Sequence, residues 1–331
     1  MPSPIVTVII PTHNRPELLC RAVESAFQEM SDEEVEVIVV PNGGDYTCGE
    51  SLSKWSGKEN LRIIPSEPAD PNAARNLGLS KARGHLIRFL DDDDYLIPQT
   101  ARKQYIELLD SNYNVSLYGA RIEDEKGTCH GIATPSSESD FVAMTLSGDF
   151  LALPFTVVYK RAIIIDKRWG SPLRIPEDEE WMRTIATSNQ VLHLAKSDVV
   201  GVWFQHRGGR LSFNRANNAY FKNKADSILK TYNAVSNAGH MNACRKKATV
   251  QGLWKTVHGG FYLSPLYWSR FAKIALTLDP SSRPEFDVFD KLSFLPPLAI
   301  EWMLAPKRIA NHAVRLFRES LFARSHIRKV P

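Results

Sequence analysis

Cysteine is scarce and scattered in this 331-residue chain. The four, Cys20, Cys48, Cys129 and Cys244, form no CxxC pair, which argues against a zinc knuckle and fits a reduced, cytoplasmic setting. An uninterrupted apolar run of about eighteen residues, the length a spanning helix needs, is missing as well. The nearest stretch, residues 292–305, is broken by Pro296, Pro297 and Glu301. The amino-terminal residues are strand-like from the start, so no signal peptide is expected. Charge of one sign is lacking overall: the net is +4, with seven Lys/Arg against two Asp/Glu in residues 301–331 and a sum of −1 before them. A near-neutral body makes nucleic acid a poor default partner. Internal repeats and low-complexity segments are absent, and 43% hydrophobic with 24% charged residues is an ordinary globular composition.

What is present is an alternation of strand and helix. Residues 5–10 form a β-branched run stopped by Pro11, and residues 35–40 a second one stopped by Pro41-Asn42-Gly43-Gly44. Both read as strands buried on two faces. Residues 61–64 and 86–90 read as further strands. Helices are expected from Pro16 to about residue 28, over 72–82 with Gly84 at the end, and from Pro98 to about 110. Such alternation implies an α/β fold with parallel βαβ units. After residue 114 strands are expected at 115–118, 155–159, 191–194 and 199–204, a loop at 134–140 and a helix at 177–186. From residue 214 onward only helices are expected, at 218–235 and 243–258, followed by an aromatic-rich piece at 261–271. A domain boundary is placed near Arg215, giving units 1–215 and 216–331.

The densest chemical signal is Phe89-Leu90-Asp91-Asp92-Asp93-Asp94. Four adjacent like charges repel, so the cluster gains nothing for the fold without counter-charge. Delivered to the carboxyl end of a strand, where open α/β sheets bind ligands, it makes a seat for Mg²⁺ or Mn²⁺ serving a phosphorylated substrate. The tips of the first two strands, Pro11-Thr12-His13-Asn14-Arg15 and Asn42-Gly43-Gly44, share that edge. Arg75, in Ala74-Arg75-Asn76-Leu77-Gly78, has the planar fork of donors that suits a phosphate or a base. Taken alone, it reads first as a solvated helix-surface arginine.

In order along the chain, Val8-Ile9-Ile10-Pro11-Thr12-His13-Asn14-Arg15, Glu36-Val37-Ile38-Val39-Val40, the Arg75 block and the Asp cluster resemble the nucleotide-sugar-binding half of the family 2 glycosyltransferases, over roughly residues 4–210. The resemblance implies a GT-A fold, a Rossmann-like and mostly parallel sheet flanked by helices, here with a helical carboxy-terminal extension. It implies an inverting transfer of a sugar from a nucleotide diphosphate to an acceptor hydroxyl. Asp91 matches the aspartate that contacts the donor ribose, and Asp93 the last carboxylate of the DxD motif, which coordinates the metal. Asp92 fills the variable middle position and reads as a solvated loop end, while Asp94 reads as a support behind the metal site. Donor contacts are expected from Pro11, Thr12, Asn14, Asn42, Arg75 and Asp91.

Farther on, Ile175-Pro176-Glu177-Asp178-Glu179-Glu180-Trp181-Met182-Arg183 resembles the family's Glu-Asp motif, whose Asp is the general base, and the match assigns that role to Asp178. For Glu179 and Glu180 a favourable position in a first helical turn is explanation enough. His206, in Gln205-His206-Arg207, resembles the histidine that approaches the metal or diphosphate. Arg207 and Arg210 either neutralise the leaving diphosphate or are solvated.

One position departs from the pattern. Relatives carry an Asp that reads the base where this chain has Pro41. Base recognition then falls to the backbone, Asn42, Thr12 or Arg75, and UDP is expected, with GDP and dTDP open. A degenerate relative that binds nucleotide or glycan without turnover is the alternative. The acceptor is expected to be a glycan or a lipid-linked sugar in bacterial surface-polysaccharide assembly. Residues 305–329 alternate apolar and basic side chains, an arrangement that suits peripheral contact with the inner face of a cytoplasmic membrane, with Trp302, Met303 and Leu304 inserting shallowly. Packing on the catalytic domain is the competing use of those apolar residues. The aromatics Trp254, Phe261, Tyr262 and Trp268 read mainly as core. A phosphatase with an aspartyl nucleophile would carry its DxD after the first strand, a helical prenyl-diphosphate synthase would carry Asp-rich motifs on long helices, and a sugar nucleotidyltransferase would need a Gly-rich loop after the first strand. None of these patterns is met.

Overall fold

The computed structural model describes residues 3–45, 47–151, 153–188, 191–206 and 217–327, with side chains described through residue 315. Arg207, Arg210, the boundary at Arg215 and the side chains of the basic tail beyond residue 315 lie outside the described residues.

Strands β1 (Val6–Thr12), β2 (Val35–Pro41), β3 (Leu61–Ile63) and β4 (Leu86–Phe89) pair in parallel, with β1 between β2 and β4. Every residue of β1, β2 and β4 is buried, the state expected of parallel strands covered on both faces. Successive side chains alternate between two cores: Val6, Val8 and Ile10 enter one, Ile9 the other. The sheet continues through β5 (Tyr95–Leu96), β6 (Val115–Asp124), β7 (Cys129–Ala133), β8 (Val157–Lys160) and β9 (His193–Gln205). Among the described residues, these nine strands form one sheet in the order β3-β2-β1-β4-β8-β6-β9-β5, with β7 paired to β6 off this path. β8 runs antiparallel to both β4 and β6, and β5 antiparallel to β9, so the sheet is mixed beyond β4.

Four helices of the first half are α1 (Pro16–Phe27), α2 (Cys48–Ser51), α3 (Pro71–Lys81) and α4 (Pro98–Leu109). Proline stands in the first turn of α1, α3 and α4, where its missing N–H costs nothing. α5 (Phe141–Ser147) begins at Asp140, whose carboxylate accepts the N–H groups of Val142 and Ala143. After α6 (Glu177–Ala186) come α7 (Asn218–Asn237), α8 (Ala243–Gly260), α9 (Pro265–Leu278), α10 (Asp287–Lys291) and α11 (Pro297–Ile327). Asn217 and Asn242 cap α7 and α8 through their side-chain oxygens. One apolar cluster runs from Ile9 and Phe89 in the sheet through Trp181 to Trp254 and Trp268 in the last helices. Trp254, Phe261 and Trp268 are fully buried there, core residues as read from the sequence.

Besides the short α2 and β5, which were not expected, three longer features differ from the sequence expectation. β9 is continuous where two strands were expected, because the polar Lys196-Ser197-Asp198 break is absorbed as a register shift against β6. β6 extends to Asp124 and recruits β7, whose mostly exposed residues give no apolar signal. Helix α5 replaces a stretch in which none was expected. No described helix is long and apolar enough to cross a membrane.

Candidate active site

The carboxyl ends of β1, β2 and β4 converge with the amino-terminal turns of α3 and α6 around a cavity of about 570 Å³. Pro11, Thr12 and Asn42 form one wall, Arg75 and Asp91 the next, and Glu177 and Asp178 close the far side. All of the expected donor-contacting residues except Asn14 line it. Asn14 is exposed at a positive φ of 53°, its N–H donating to Asp45 at 2.9 Å, outside the cavity wall.

The four aspartates after β4 each have a different set of hydrogen-bond partners. Asp91 accepts from Arg75 Nη2 at 2.6 Å. Asp92 turns toward β1 and accepts from Thr12 Oγ1 at 2.8 Å and Arg15 Nη1 at 3.0 Å. It is only 5% exposed, so the expectation of a solvated loop end is corrected. Burial, with the neighbouring Asp93 and Asp91 adding to it, outweighs Arg15 and pushes its carboxyl up to about 6. Asp93 accepts from Arg15 Nη1 at 3.1 Å and lies 3.0 Å from His206 Nε2. Asp94 accepts the N–H of Phe204 at 2.9 Å, a contact made by the short β5–β9 pairing that follows the cluster.

Carboxylate oxygens of Asp91, Asp93 and Asp94 lie within 4.8 Å of one another. Three hard oxygen donors with an imidazole beside them suit a divalent cation of the Mg²⁺ or Mn²⁺ kind. The inclusion of Asp91 and Asp94 in that group was not foreseen from the sequence, because adjacent aspartates give no clue to which way each turns.

Arg75 is buried, not a solvated helix-surface residue. Its guanidinium is held by Asn72 Oδ1 at 2.8 Å and by Asp91, and lies 4.6 Å from the centre of the Trp169 ring. Burial works against its charge, but Asp91, Asp178 and Glu177 hold its pKa above the ordinary value. Trp169 stacks on Trp181 at 4.6 Å, with Phe89 edge-on to both. Asn76 fixes this loop through the N–H and carbonyl of Trp169, and Asn72 through the carbonyl of Gly170. The Trp169 platform has no signal in the sequence, since it depends on a contact between segments ninety-three positions apart.

Asp178 stands in the first turn of α6, where the helix dipole favours an ionised carboxylate. Glu179, beside it, does more than complement that dipole. It accepts from Arg183 Nη2 at 2.8 Å and from Lys224 Nζ of α7 at 3.0 Å. Burial pushes its carboxyl up, but the two cations outweigh it and hold the pKa below the ordinary value. On the opposite flank, the Arg21 guanidinium lies between the Tyr95 and Phe204 rings and donates to the Asp93 carbonyl at 2.9 Å.

Residues 7–135 match the profile of a family described as Glycosyl transferase family 2. Over 202 residues the chain is 27% identical to a GalNAc(5)-diNAcBac-PP-undecaprenol beta-1,3-glucosyltransferase of Campylobacter jejuni, a match that covers 58% of this chain and 63% of that protein. The chain thus spans less than two thirds of that relative's length. Among solved structures, residues 1–349 of Staphylococcus aureus TarS in complex with UDP superpose with a TM-score of 0.63 at 18% identity, covering 83% of this chain and 81% of that one. A mannosyltransferase from Pyrobaculum calidifontis in complex with GDP-Man and Mn²⁺ gives 0.50 at 15% identity, covering 95% and 87%. The fold is that of GT-A glycosyltransferases.

Proposed function

We propose, from the premise that this chain carries a glycosyl transferase family 2 domain, that it is an inverting, metal-dependent glycosyltransferase. The observation that carries the reading is the convergence of Asp91, Asp93 and Asp178 on one cavity, with Arg75 buried between the first and the last. The donor lies across the strand tips. Its nucleoside end meets Pro11, Thr12 and Asn42, its ribose Asp91, and its diphosphate Asp93 and His206. Asp91, Asp93 and Asp94 would hold a divalent cation there, which would supply positive charge to offset that of the diphosphate as it leaves. Asp178 accepts the proton of the acceptor hydroxyl as the new oxygen–anomeric carbon bond forms. The bond from that carbon to the diphosphate oxygen breaks on the opposite face, and configuration inverts. Arg15, 28% exposed at its side chain, adds a cation beside Asp93 that offsets charge on the leaving group.

UDP is the proposed nucleotide. The acceptor is a glycan or a lipid-linked sugar of a bacterial surface polymer, and transfer takes place on the cytoplasmic side. Residues 1–215 form the catalytic unit in this reading, and 216–331 a mainly helical extension. Pro41 favours a second reading, a nucleotide or glycan binder without turnover, because it brings no carboxylate to the base. Release of nucleoside diphosphate from a panel of UDP-, GDP- and dTDP-sugars with Mn²⁺ separates the two. Turnover of one donor that is lost in Asp178→Asn supports the transferase. Binding without release of nucleoside diphosphate from any donor supports the binder.

A further inference from the structure

Asp93, Asp94 and His206, all beside the candidate cation seat, are tied to a residue that lies outside it. Arg21 stands in the second turn of α1, and its guanidinium covers two rings, 4.4 Å from the centre of Tyr95 and 3.9 Å from that of Phe204. Its Nη2 donates to the main-chain carbonyl of Asp93 at 2.9 Å. That bond falls on the backbone, so it fixes the position of Asp93 without occupying the carboxylate. One turn on, Ser25 Oγ accepts the N–H of Leu96 at 3.0 Å. Arg21 and Ser25, four residues apart, share one face of α1, and that face grips the chain as it leaves the aspartate cluster.

Phe204 carries the tie to the other two groups. Its N–H donates to Asp94 Oδ1 at 2.9 Å. Its ring is stacked on the imidazole of His206, with centres 6.2 Å and planes 19° apart. His206 Nε2 in turn lies 3.0 Å from Asp93 Oδ2. Tyr95 is anchored at its far end, its hydroxyl donating to Glu123 Oε1 at 2.8 Å, while Glu123 pairs with Arg121 at 2.8 Å. The ladder between β5 and β9 stops at Val202, short of Phe204, and Arg21 continues the join beyond it. We propose that Arg21 is a positioning residue for the cation: clamped on Tyr95 and Phe204, it sets the relative placement of Asp93, Asp94 and His206, and with it the affinity of the seat for Mn²⁺. The inference rests on the reading of Asp91, Asp93 and Asp94 as a divalent-cation seat. Groups that orient the ligands of a metal without touching it contribute strongly to its affinity. Arginine suits the place because its planar guanidinium covers ring faces while its edge still donates. Packing alone would be met by an apolar side chain of the same length, which could not hold the Asp93 carbonyl.

The test is titration of Mn²⁺ into the full chain with UDP present, free Mn²⁺ being read by electron paramagnetic resonance. Arg21→Met keeps the length of the side chain and removes the donor and the charge. It is expected to weaken Mn²⁺ binding about 10–100-fold. Phe204→Leu, which removes the ring under the guanidinium, weakens it in the same direction, and Phe204→Tyr, which keeps the ring, retains wild-type affinity. In Arg21→Met/Phe204→Leu the two losses do not add, because both remove the same clamp. Gly252→Ala, at the crossing of α8 and α5, serves as the control: it lowers stability and leaves Mn²⁺ affinity at the wild-type value. Affinity in Arg21→Met and Phe204→Leu equal to that of the wild type overturns the clamp and leaves the cation seat standing. An equal loss in Gly252→Ala also overturns it, by tracing the effect to general destabilisation. Should Arg21→Met not fold, the contrast between Phe204→Leu and Phe204→Tyr decides in the same way. No Mn²⁺ binding by the wild type overturns the cation seat, and this proposal with it.

Discussion

Asp178 and Asp93 act at opposite ends of the proposed reaction, and substitution separates them. Asp178→Asn keeps the size of the side chain but removes the proton acceptor. It is expected to lower transfer by about 10²–10⁴-fold, the usual contribution of general-base catalysis, while nucleotide affinity measured by calorimetry stays within about twofold of wild type. A loss of nucleotide affinity as large as the loss of rate would place Asp178 in donor binding instead. At this scale the sequence was a partial guide. Residue types and their order pointed to the cluster, but four consecutive aspartates carry no record of orientation. Thr12 and Arg15 draw Asp92 inward, and the β5–β9 pairing draws Asp94 toward Phe204, and both forces come from segments far along the chain. Arg75 misled for the same reason, since its burial depends on the Trp169 loop packing over α3.

Among the elements, α6 and α7 are joined by Glu179, which Arg183 and Lys224 grip from two sides. Its folded pKa is depressed below the ordinary 4.5, so the unfolded chain takes up this proton first as pH falls. The stability it contributes is present above the unfolded value and is lost as pH drops through the folded one. Urea denaturation between pH 7 and pH 3 is expected to show a fall in stability at the acid end that Glu179→Gln flattens. A parallel pH profile in that variant would remove Glu179 as a cause. Arg183→Ala leaves the partly buried carboxylate with Lys224 alone and is expected to cost about 3 kcal/mol at neutral pH. The crossing of α8 over α5 makes a second demand. A Cβ on Gly252 would stand 2.0 Å from the Leu146 carbonyl oxygen, a backbone atom with little room to move. Gly252→Ala is therefore expected to destabilise by about 1–3 kcal/mol through overpacking, read as a lower urea midpoint with an unchanged slope. Strands β1 and β2 and helix α6 were legible because unbroken β-branched runs and an acidic first turn are local signals, and β4 because its mainly apolar run leads into the aspartate cluster. β7 was not, because its pairing with β6 supplies what its own residues lack, and α5 depends on a cap at Asp140 that also binds Arg245 of α8.

For the whole molecule, the order of the sequence blocks carried more than any block alone. They brought the first half of the sheet and its carboxyl edge into view, with both halves of the candidate site. The helices after α6 gave no such order. Their place is set by burial of Trp254, Phe261 and Trp268 in a cluster continuous with the sheet, which no local pattern encodes. The donor cavity and its cation seat act as one unit in this account, so a ligand of the native state should raise the melting temperature only when both parts are filled. The most direct measurement is a thermal-shift series with UDP, GDP, dTDP and CDP, each with and without Mn²⁺, on the wild type and on Asp93→Ala. The account predicts a rise with UDP that requires Mn²⁺ and disappears in Asp93→Ala. A rise with one nucleotide that is the same without metal and survives Asp93→Ala, or no rise with any nucleotide, would contradict it.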